Sequence, residues 1–285
     1  TIKLIDFDAL EQNQYVVTQQ YTFQAGPVTK RADLVMLING IPIVLIEAKT
    51  PVRASQSWLD GALQVHDDYE RNIPELFVPN AFSIATEGKE FRYGSIRMPV
   101  EFWGPWRLED EAALPSIAEI GNAVNTMLRP NVVLDLLANF TSYATHKGKQ
   151  RIKIIARYQQ YEGTNKLVER VVAGHPKKGL IWHFQGSGKS LLMLFAARKL
   201  RLHPALKNPT VMILVDRIDL DSQISGTFYA NDAANLVKAE SQKDLEEILS
   251  KDSRKIIIST IHKFGEAEGV LNDRDNIIVL VDEAH

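Results

Sequence analysis

Gly186-Ser187-Gly188-Lys189-Ser190, entered from the apolar Leu180-Ile181-Trp182 and followed by the apolar-rich Leu191 to Leu200, decides how the second half of this chain folds. Glycines let the backbone turn tightly enough for successive N–H groups to converge on phosphate oxygens. A helix that opens at the same point adds its positive end. In that role Lys189 reaches the β and γ phosphates of a nucleotide, and the Ser190 hydroxyl ligates Mg²⁺. One departure is visible, because the first position of the G-x-x-x-x-G-K-[ST] pattern is His183. A glycine-rich strand-to-helix turn without a ligand is the plainer alternative, and the strand-then-helix setting favours phosphate.

Around this loop the sequence alternates β-branched runs with helical stretches. Gly179 to Phe184, Thr210 to Val215, Lys255 to Thr260 and Asn276 to Val281 read as strands, and helices are expected to begin near Ser190, Asp219 and Ser241. Strands alternating with helices imply a parallel sheet covered on both faces. The last strand delivers Asp282-Glu283-Ala284-His285, a carboxylate pair at the end of the sheet where a parallel fold places its chemistry. Asp282 is suited to hold Mg²⁺, and Glu283 to orient and deprotonate an attacking water. Taken alone, the same letters also suit the acidic start of a helix.

The chain has 285 residues, 45% hydrophobic and 24% charged, enough for about two domains with real cores. Its longest apolar runs, such as Ile41 to Ile46 and Leu191 to Ala197, fall far short of the roughly 18 residues that span a bilayer, so no membrane role is expected. The start, Thr-Ile-Lys-Leu-Ile-Asp-Phe, has neither a Met nor a signal-peptide pattern and reads as a cut beginning. Without cysteine, disulfides and thiolate metal sites are excluded, which fits a cytoplasmic location. A net charge of -2 argues against a DNA-coating protein, because such binding rests on neutralising phosphates.

Residues 1–105 differ from the second half in alternating short apolar runs with turn signals, which marks a separate domain. Between them, 106–148 reads as a helical connector. Trp103-Gly104-Pro105-Trp106 breaks the regular pattern ahead of it, and Leu114 to Tyr143 carries helical spacing interrupted at Arg129-Pro130. The third part, 149–285, holds the nucleotide signals.

The first domain carries Asp33 and, fourteen positions on, Glu47-Ala48-Lys49. This resembles the PD-(D/E)xK nuclease pattern, in which acidic groups hold Mg²⁺ against a scissile phosphate and a cation manages the attacking water. Asp33 and Glu47 fit the first task and Lys49 the second. Strand side chains alternate, so Glu47 and Lys49 share a face and Ala48 points away. The plainer alternative is an exposed ion pair at a strand end.

Geometry tests the site, because Asp33 to Ile38 and Pro42 to Lys49 read as paired strands joined around Asn39-Gly40. A two-residue type I′ loop would set Asp33 opposite Ile46, on the face away from Glu47. A three-residue loop with Gly40 left-handed would set it opposite Leu45, diagonal to Glu47. The three-residue form is therefore expected.

With these residues in view, the chain resembles the motor and endonuclease subunits of type I restriction enzymes. Asp282 to His285 match the DEAH motif of superfamily two helicases and translocases letter for letter. Lys30 to Val35, Ile38 to Pro42, Ile46 to Pro51 and Ile73 to Phe77 look like that family's nuclease core. The resemblance implies a restriction-endonuclease-like mixed sheet followed by a RecA-like parallel-sheet lobe. It further implies that Gln160 reads adenine and that Asp216, Arg217, Thr260, His262 and Lys263 belong to DNA-tracking segments. The family also carries a Gln and a Tyr four apart on a helix, whereas here Gln64 and Tyr69 are five apart. In an α-helix that separates them by roughly 140°, so either a helix irregularity restores the pair or one of them serves alone.

The activity implied is ATP-driven, Mg²⁺-dependent translocation and cleavage of double-stranded DNA, in a complex with methyltransferase and specificity subunits. The same resemblance implies that a second lobe supplies an arginine to the γ-phosphate, so residues 1–285 by themselves are expected to turn ATP over negligibly. A stand-alone helicase-nuclease, or a nuclease-like domain that only docks the motor or clamps DNA, are the competing readings.

Overall fold

The computed structural model describes residues 3–53, 55–106, 116–146, 150–184, 186–215, 236–251, 254–265 and 270–282. It forms two compact units, Thr1–Gln159 and Gln160–His285. The architecture is mixed α/β, with a mixed sheet in the first unit and a parallel sheet in the second. No helix among the described residues is long and apolar enough to cross a membrane.

The first unit is built on five strands in the order β1 (Tyr15–Ala25), β2 (Val28–Ile38), β3 (Ile41–Ala48), β4 (Phe82–Thr86) and β5 (Phe91–Gly94). β3 and β4 run parallel, and the other neighbours are antiparallel. Parallel neighbours need a crossover, and α1 (Trp58–Leu63) with its continuation supplies it. Ser57 starts this helix with a capping box: its hydroxyl accepts from Leu59 N–H, and Asp60 returns a bond to the Ser57 N–H. Val65, Tyr69, Ile73, Leu76 and Phe77 then pack on Val35, Leu45 and Ala85 of the sheet. Burial of each large side chain in such a cluster contributes roughly 1.5–3 kcal/mol, enough to fix the crossover against β3.

The β2–β3 connection overturns the expected three-residue loop. Ile38 pairs with Ile41, and both Asn39 (φ 51) and Gly40 (φ 80) are left-handed, the signature of a two-residue type I′ turn. The consequence feared for Asp33 does not follow. Register shifts between Met36 and Leu37: Leu37 pairs with Pro42, yet Met36 pairs with Val44, so Ile43 is an extra residue bulged out of the ladder. Beyond the bulge Leu34 pairs with Ile46, and the next step sets Asp33 opposite Glu47. Proline cannot donate to a ladder and is found in strands mainly at bulges, so Pro42 is the sequence signal for this irregularity. The freed Ile43 carbonyl accepts from the Ala81 N–H (2.8 Å) and the Asn80 amide (3.3 Å).

The stretch expected as a connector, 106–148, gathers into this first unit. Helices α2 (Ile117–Met127) and α3 (Pro130–Asn139) flank the interruption read at Arg129-Pro130, with Pro130 opening the second. A hairpin follows, β6 (Thr141–His146) and β7 (Gln150–Ile155), so the chain is already extended by Tyr143. β7 is stitched back to the five-stranded domain by Ser95 Oγ to the Lys153 carbonyl (2.5 Å) and by the Lys153 ammonium to the Asn80 carbonyl. Trp103 and Trp106, where the regular pattern breaks, are buried.

In the second unit, α4 (Tyr158–Ala173) begins two residues before the boundary, and α5 (Lys189–Leu202) follows the glycine loop. Four parallel strands are ordered β11 (Ile277–Val281), β8 (Thr210–Val215), β10 (Ile256–Thr260) and β9 (Leu236–Lys238). Three expected strands are therefore present within a residue, and the short β9 was not foreseen. Ser241 caps α6 (Gln242–Ser250) through the Asp244 N–H, as its position suggested. The helix expected near Asp219 lies outside the described residues. The expected strand Gly179 to Phe184 does not join the sheet: Leu180 is 82% and Trp182 85% exposed. An apolar run marks extended chain but does not say whether an edge will pair with it.

Candidate functional site

The strands and the crossover helix of the first unit bring five of the expected residues together. Glu47 is 2% exposed at the end of β3, and its Oε1 lies 3.0 Å from the Lys49 ammonium, as alternation required. Lys49 also donates to Gln64 Oε1 (2.5 Å), the Gln64 amide donates to the Tyr69 hydroxyl (2.5 Å), and that hydroxyl donates to the Arg31 carbonyl (2.9 Å). The five-residue spacing is resolved by backbone geometry: Gln64–Tyr69 is a π segment inside the helix. Its i→i+5 hydrogen bonding places residues five apart on one face.

Asp33 completes the group. Its Oδ2 accepts from the Ala48 N–H (2.9 Å) and its Oδ1 from the Gln20 amide (3.3 Å). Burial, and then the neighbouring Asp33 charge, push the Glu47 carboxyl above its ordinary range, against the opposing pull of Lys49. Burial and the nearby Glu47 charge push the Tyr69 phenol up to about 12, so it stays protonated. Gln20, the Ala48 N–H and Asn80 were not anticipated from sequence, and only Pro42 hinted at the bulge that aligns them.

A donor set for a cation is present. Glu47 Oε2 is buried without a hydrogen-bond partner, a condition that costs more than the 1–3 kcal/mol of a neutral orphan unless a cation meets it. Two carboxylates stand here, and no group of three or more His, Cys, Asp or Glu suited to a metal occurs among the described residues. That donor count suits Mg²⁺, which is bound through one or two carboxylates and takes its other oxygens from water and phosphate.

The second cluster is more loosely drawn. Gly186 (φ 81) and Gly188 (φ 80) are both left-handed, and Lys189 and Ser190 open α5 as expected. Ser187 is buried in the loop. Gln160 is also buried, and its amide donates to the carbonyls of Ser187 (3.3 Å) and Gly188 (3.1 Å). A Cβ at Gly188 would stand 2.2 Å from that amide nitrogen, the movable end of a side chain, so glycine is required here for its left-handed conformation more than for space. Lys189 and Asp282 line one cleft of about 560 Å³ together with His183, Leu192 and Val281. Asp282 is buried, and its N–H continues the β11–β8 ladder to the Leu214 carbonyl (2.9 Å). Burial, then the Lys189 charge, lower the His183 pKa.

Of the expected DNA-tracking residues, Thr260 is buried at the end of β10, Lys263 donates to the Ala239 carbonyl (2.8 Å), and His262 is exposed. Asp216, Arg217 and the expected water-orienting Glu283 lie outside the described residues.

Residues 1–100 match the family model for the type I restriction enzyme R protein N terminus, and residues 159–285 match that for the SWI2/SNF2 ATPase. The chain thus joins a restriction-subunit N terminus to an ATPase segment. Over its whole length it is 35% identical to the type I restriction enzyme HindI endonuclease subunit of Haemophilus influenzae, covering 29% of that protein. A Methanocaldococcus jannaschii protein provisionally named the type I restriction enzyme MjaIXP endonuclease subunit is 32% identical over the whole chain, which covers 30% of it. The SsaAORF53P endonuclease subunit of Staphylococcus saprophyticus is 26% identical over 96% of the chain and 29% of its own length. Over its whole length the chain is thus similar to type I restriction endonuclease subunits, and it spans about three tenths of the length of these relatives.

Proposed function

We propose that this chain contributes the nuclease centre and the first nucleotide-binding lobe of a type I restriction enzyme's R subunit. The whole protein would then move along double-stranded DNA with ATP and cut it with Mg²⁺, beside methyltransferase and specificity subunits in the cytoplasm. Residues 1–105 would form the restriction-endonuclease-like domain, 106–148 the connector and 149–285 the RecA-like lobe. The observation that carries the reading is the hydrogen-bonded chain Glu47, Lys49, Gln64 and Tyr69, with Asp33 held beside it by the Ala48 N–H and the second Glu47 oxygen buried without a hydrogen-bond partner.

Asp33 and Glu47 would hold Mg²⁺, which supplies positive charge to the scissile phosphate when bound. Lys49, held between Glu47 and Gln64, would orient the attacking water and stabilise the charge that develops on the phosphate oxygens. Gln64 and the protonated Tyr69 would fix the lysine's position through the bonds to the Arg31 carbonyl. In the other unit, the N–H groups of Gly186, Ser187 and Gly188 with Lys189 would hold ATP phosphates. Ser190 and Asp282 would ligate the nucleotide's Mg²⁺, and Glu283 would orient water. Gln160 would reach adenine only by releasing the loop carbonyls it now holds. DNA contacts would come from Asp216, Arg217, Thr260, His262 and Lys263. Residues 1–285 alone would hydrolyse ATP inefficiently.

The test is Glu47→Ala and Lys49→Ala in the full-length subunit assembled with its partners. Plasmid cleavage is expected to fall on the order of 10³-fold, while DNA-stimulated ATP hydrolysis and translocation persist. Cleavage that survives both substitutions would favour the docking or clamping role instead.

A further inference from the structure

Gln20 lies in the middle of β1 with a left-handed backbone, φ 54, between Gln19 paired with Leu34 and Tyr21 paired with Ala32. Strand residues other than glycine rarely adopt this conformation, and it persists only where the surroundings impose it. The other non-glycine left-handed residues among those described, Asn39, Arg97, Lys207 and Asn208, all sit in turns or bends. Gln20 alone interrupts a strand, and it does so at the step that faces Asp33. Its amide donates to Asp33 Oδ1 at 3.3 Å, while the Ala48 N–H holds Oδ2 at 2.9 Å.

One step beyond the Leu34–Ile46 pair, the β2–β3 register brings Asp33 beside Glu47, and the Asp33 charge pushes against the Glu47 carboxylate. The half-buried Asp33 side chain could relieve that repulsion by rotating away, at the expense of the shared cation site. A donor on each of its oxygens opposes the rotation while leaving each oxygen a lone pair. We propose that Gln20 is a positioning residue that holds the Asp33 carboxylate facing Glu47, so that a divalent cation meets an aligned pair; this rests on the nuclease reading given above. The strained backbone is kept because it aims the amide at Asp33.

The test is Mn²⁺ binding to the full-length subunit without nucleotide, followed by the electron paramagnetic resonance of free Mn²⁺, with Glu47→Ala giving the background from other sites. Gln20→Gly removes the amide but accepts the left-handed backbone, so the melting temperature should be unchanged or higher. Its Mn²⁺ half-saturation should nevertheless rise on the order of tenfold, the scale set by groups that orient a metal's ligands. Cleavage in the assembled enzyme should fall at limiting metal and recover at saturating metal. Gln20→Asn, which tolerates the backbone but falls one methylene short, should behave like Gln20→Gly. Wild-type Mn²⁺ affinity in Gln20→Gly overturns the positioning role and leaves the nuclease centre standing. Equal binding by wild type and Glu47→Ala removes that centre, and the positioning role with it.

Discussion

The carboxylate cluster of the first unit and the glycine loop of the second use the same raw materials, strand ends beside a helix, yet differ in how far they are assembled. In the first, Glu47, Lys49, Gln64 and Tyr69 form a continuous chain of hydrogen bonds ending on a backbone carbonyl. In the second, Lys189 and Asp282 share a cleft, but the segment entering the loop, Gly179 to Phe184, stands outside the sheet. Side chains locked by one another are held in one geometry before any ligand arrives. The glycine loop, with the Gln160 amide at the Ser187 and Gly188 carbonyls, would in the proposed reading leave more of its ordering to the nucleotide.

The contrast breaks most sharply at Gly188. Gly188→Ala forces a left-handed alanine and pushes the Gln160 amide off the loop, so ATP affinity of the full-length subunit, measured by calorimetry, should fall by up to roughly thirtyfold. Wild-type affinity in the single variant would mean the loop is not held as described.

A smaller effect probes the π segment. Gln64→Ala should lower DNA cleavage on the order of tenfold by freeing Lys49, with ATP hydrolysis unchanged. Deleting His66, inside the π segment, sets the Gln and Tyr four apart on an ordinary α-helix and should keep cleavage within about threefold of wild type. A deletion as damaging as Gln64→Ala would show that the pair is not what the π geometry preserves.

The smallest effect concerns Glu70, immediately after Tyr69. Burial pushes its carboxyl up to about 7, against the Arg97 N–H that favours the charged form. A folded pKa raised above the unfolded 4.5 means the folded state binds more protons between those values, so stability falls as pH rises from about 4.5 to 7. Glu70→Gln should therefore stabilise the protein by on the order of 1 kcal/mol at pH 8, after allowance for partial solvent screening, and by nothing at pH 4. Denaturant melts at the two pH values check the sign.

Much of this was legible from residue types and spacing. Asp33, Glu47 and Lys49 were readable because alternation along a strand is local, and Thr210 to Val215 and Ser241 because β-branched runs and caps are local too. The strand at Gly179 to Phe184 misled because pairing needs a partner edge that no local pattern encodes. The hairpin misled in a more instructive way. Asn39-Gly40 obeys the simplest turn rule, and the face of Asp33 is instead corrected at Ile43, where Pro42 breaks the ladder and Asn80 and Ala81, far along the chain, take up the freed carbonyl.

Sequence by itself therefore determined which chemical groups are available and roughly which strand or helix carries each, since composition and periodicity act over a few residues. The tertiary structure alone decided the register that sets Asp33 against Glu47, the π segment that aligns Gln64 with Tyr69, and the left-handed backbone at Gln20. Each is a small local irregularity, unfavourable in isolation, stabilised by contacts between segments distant in the chain.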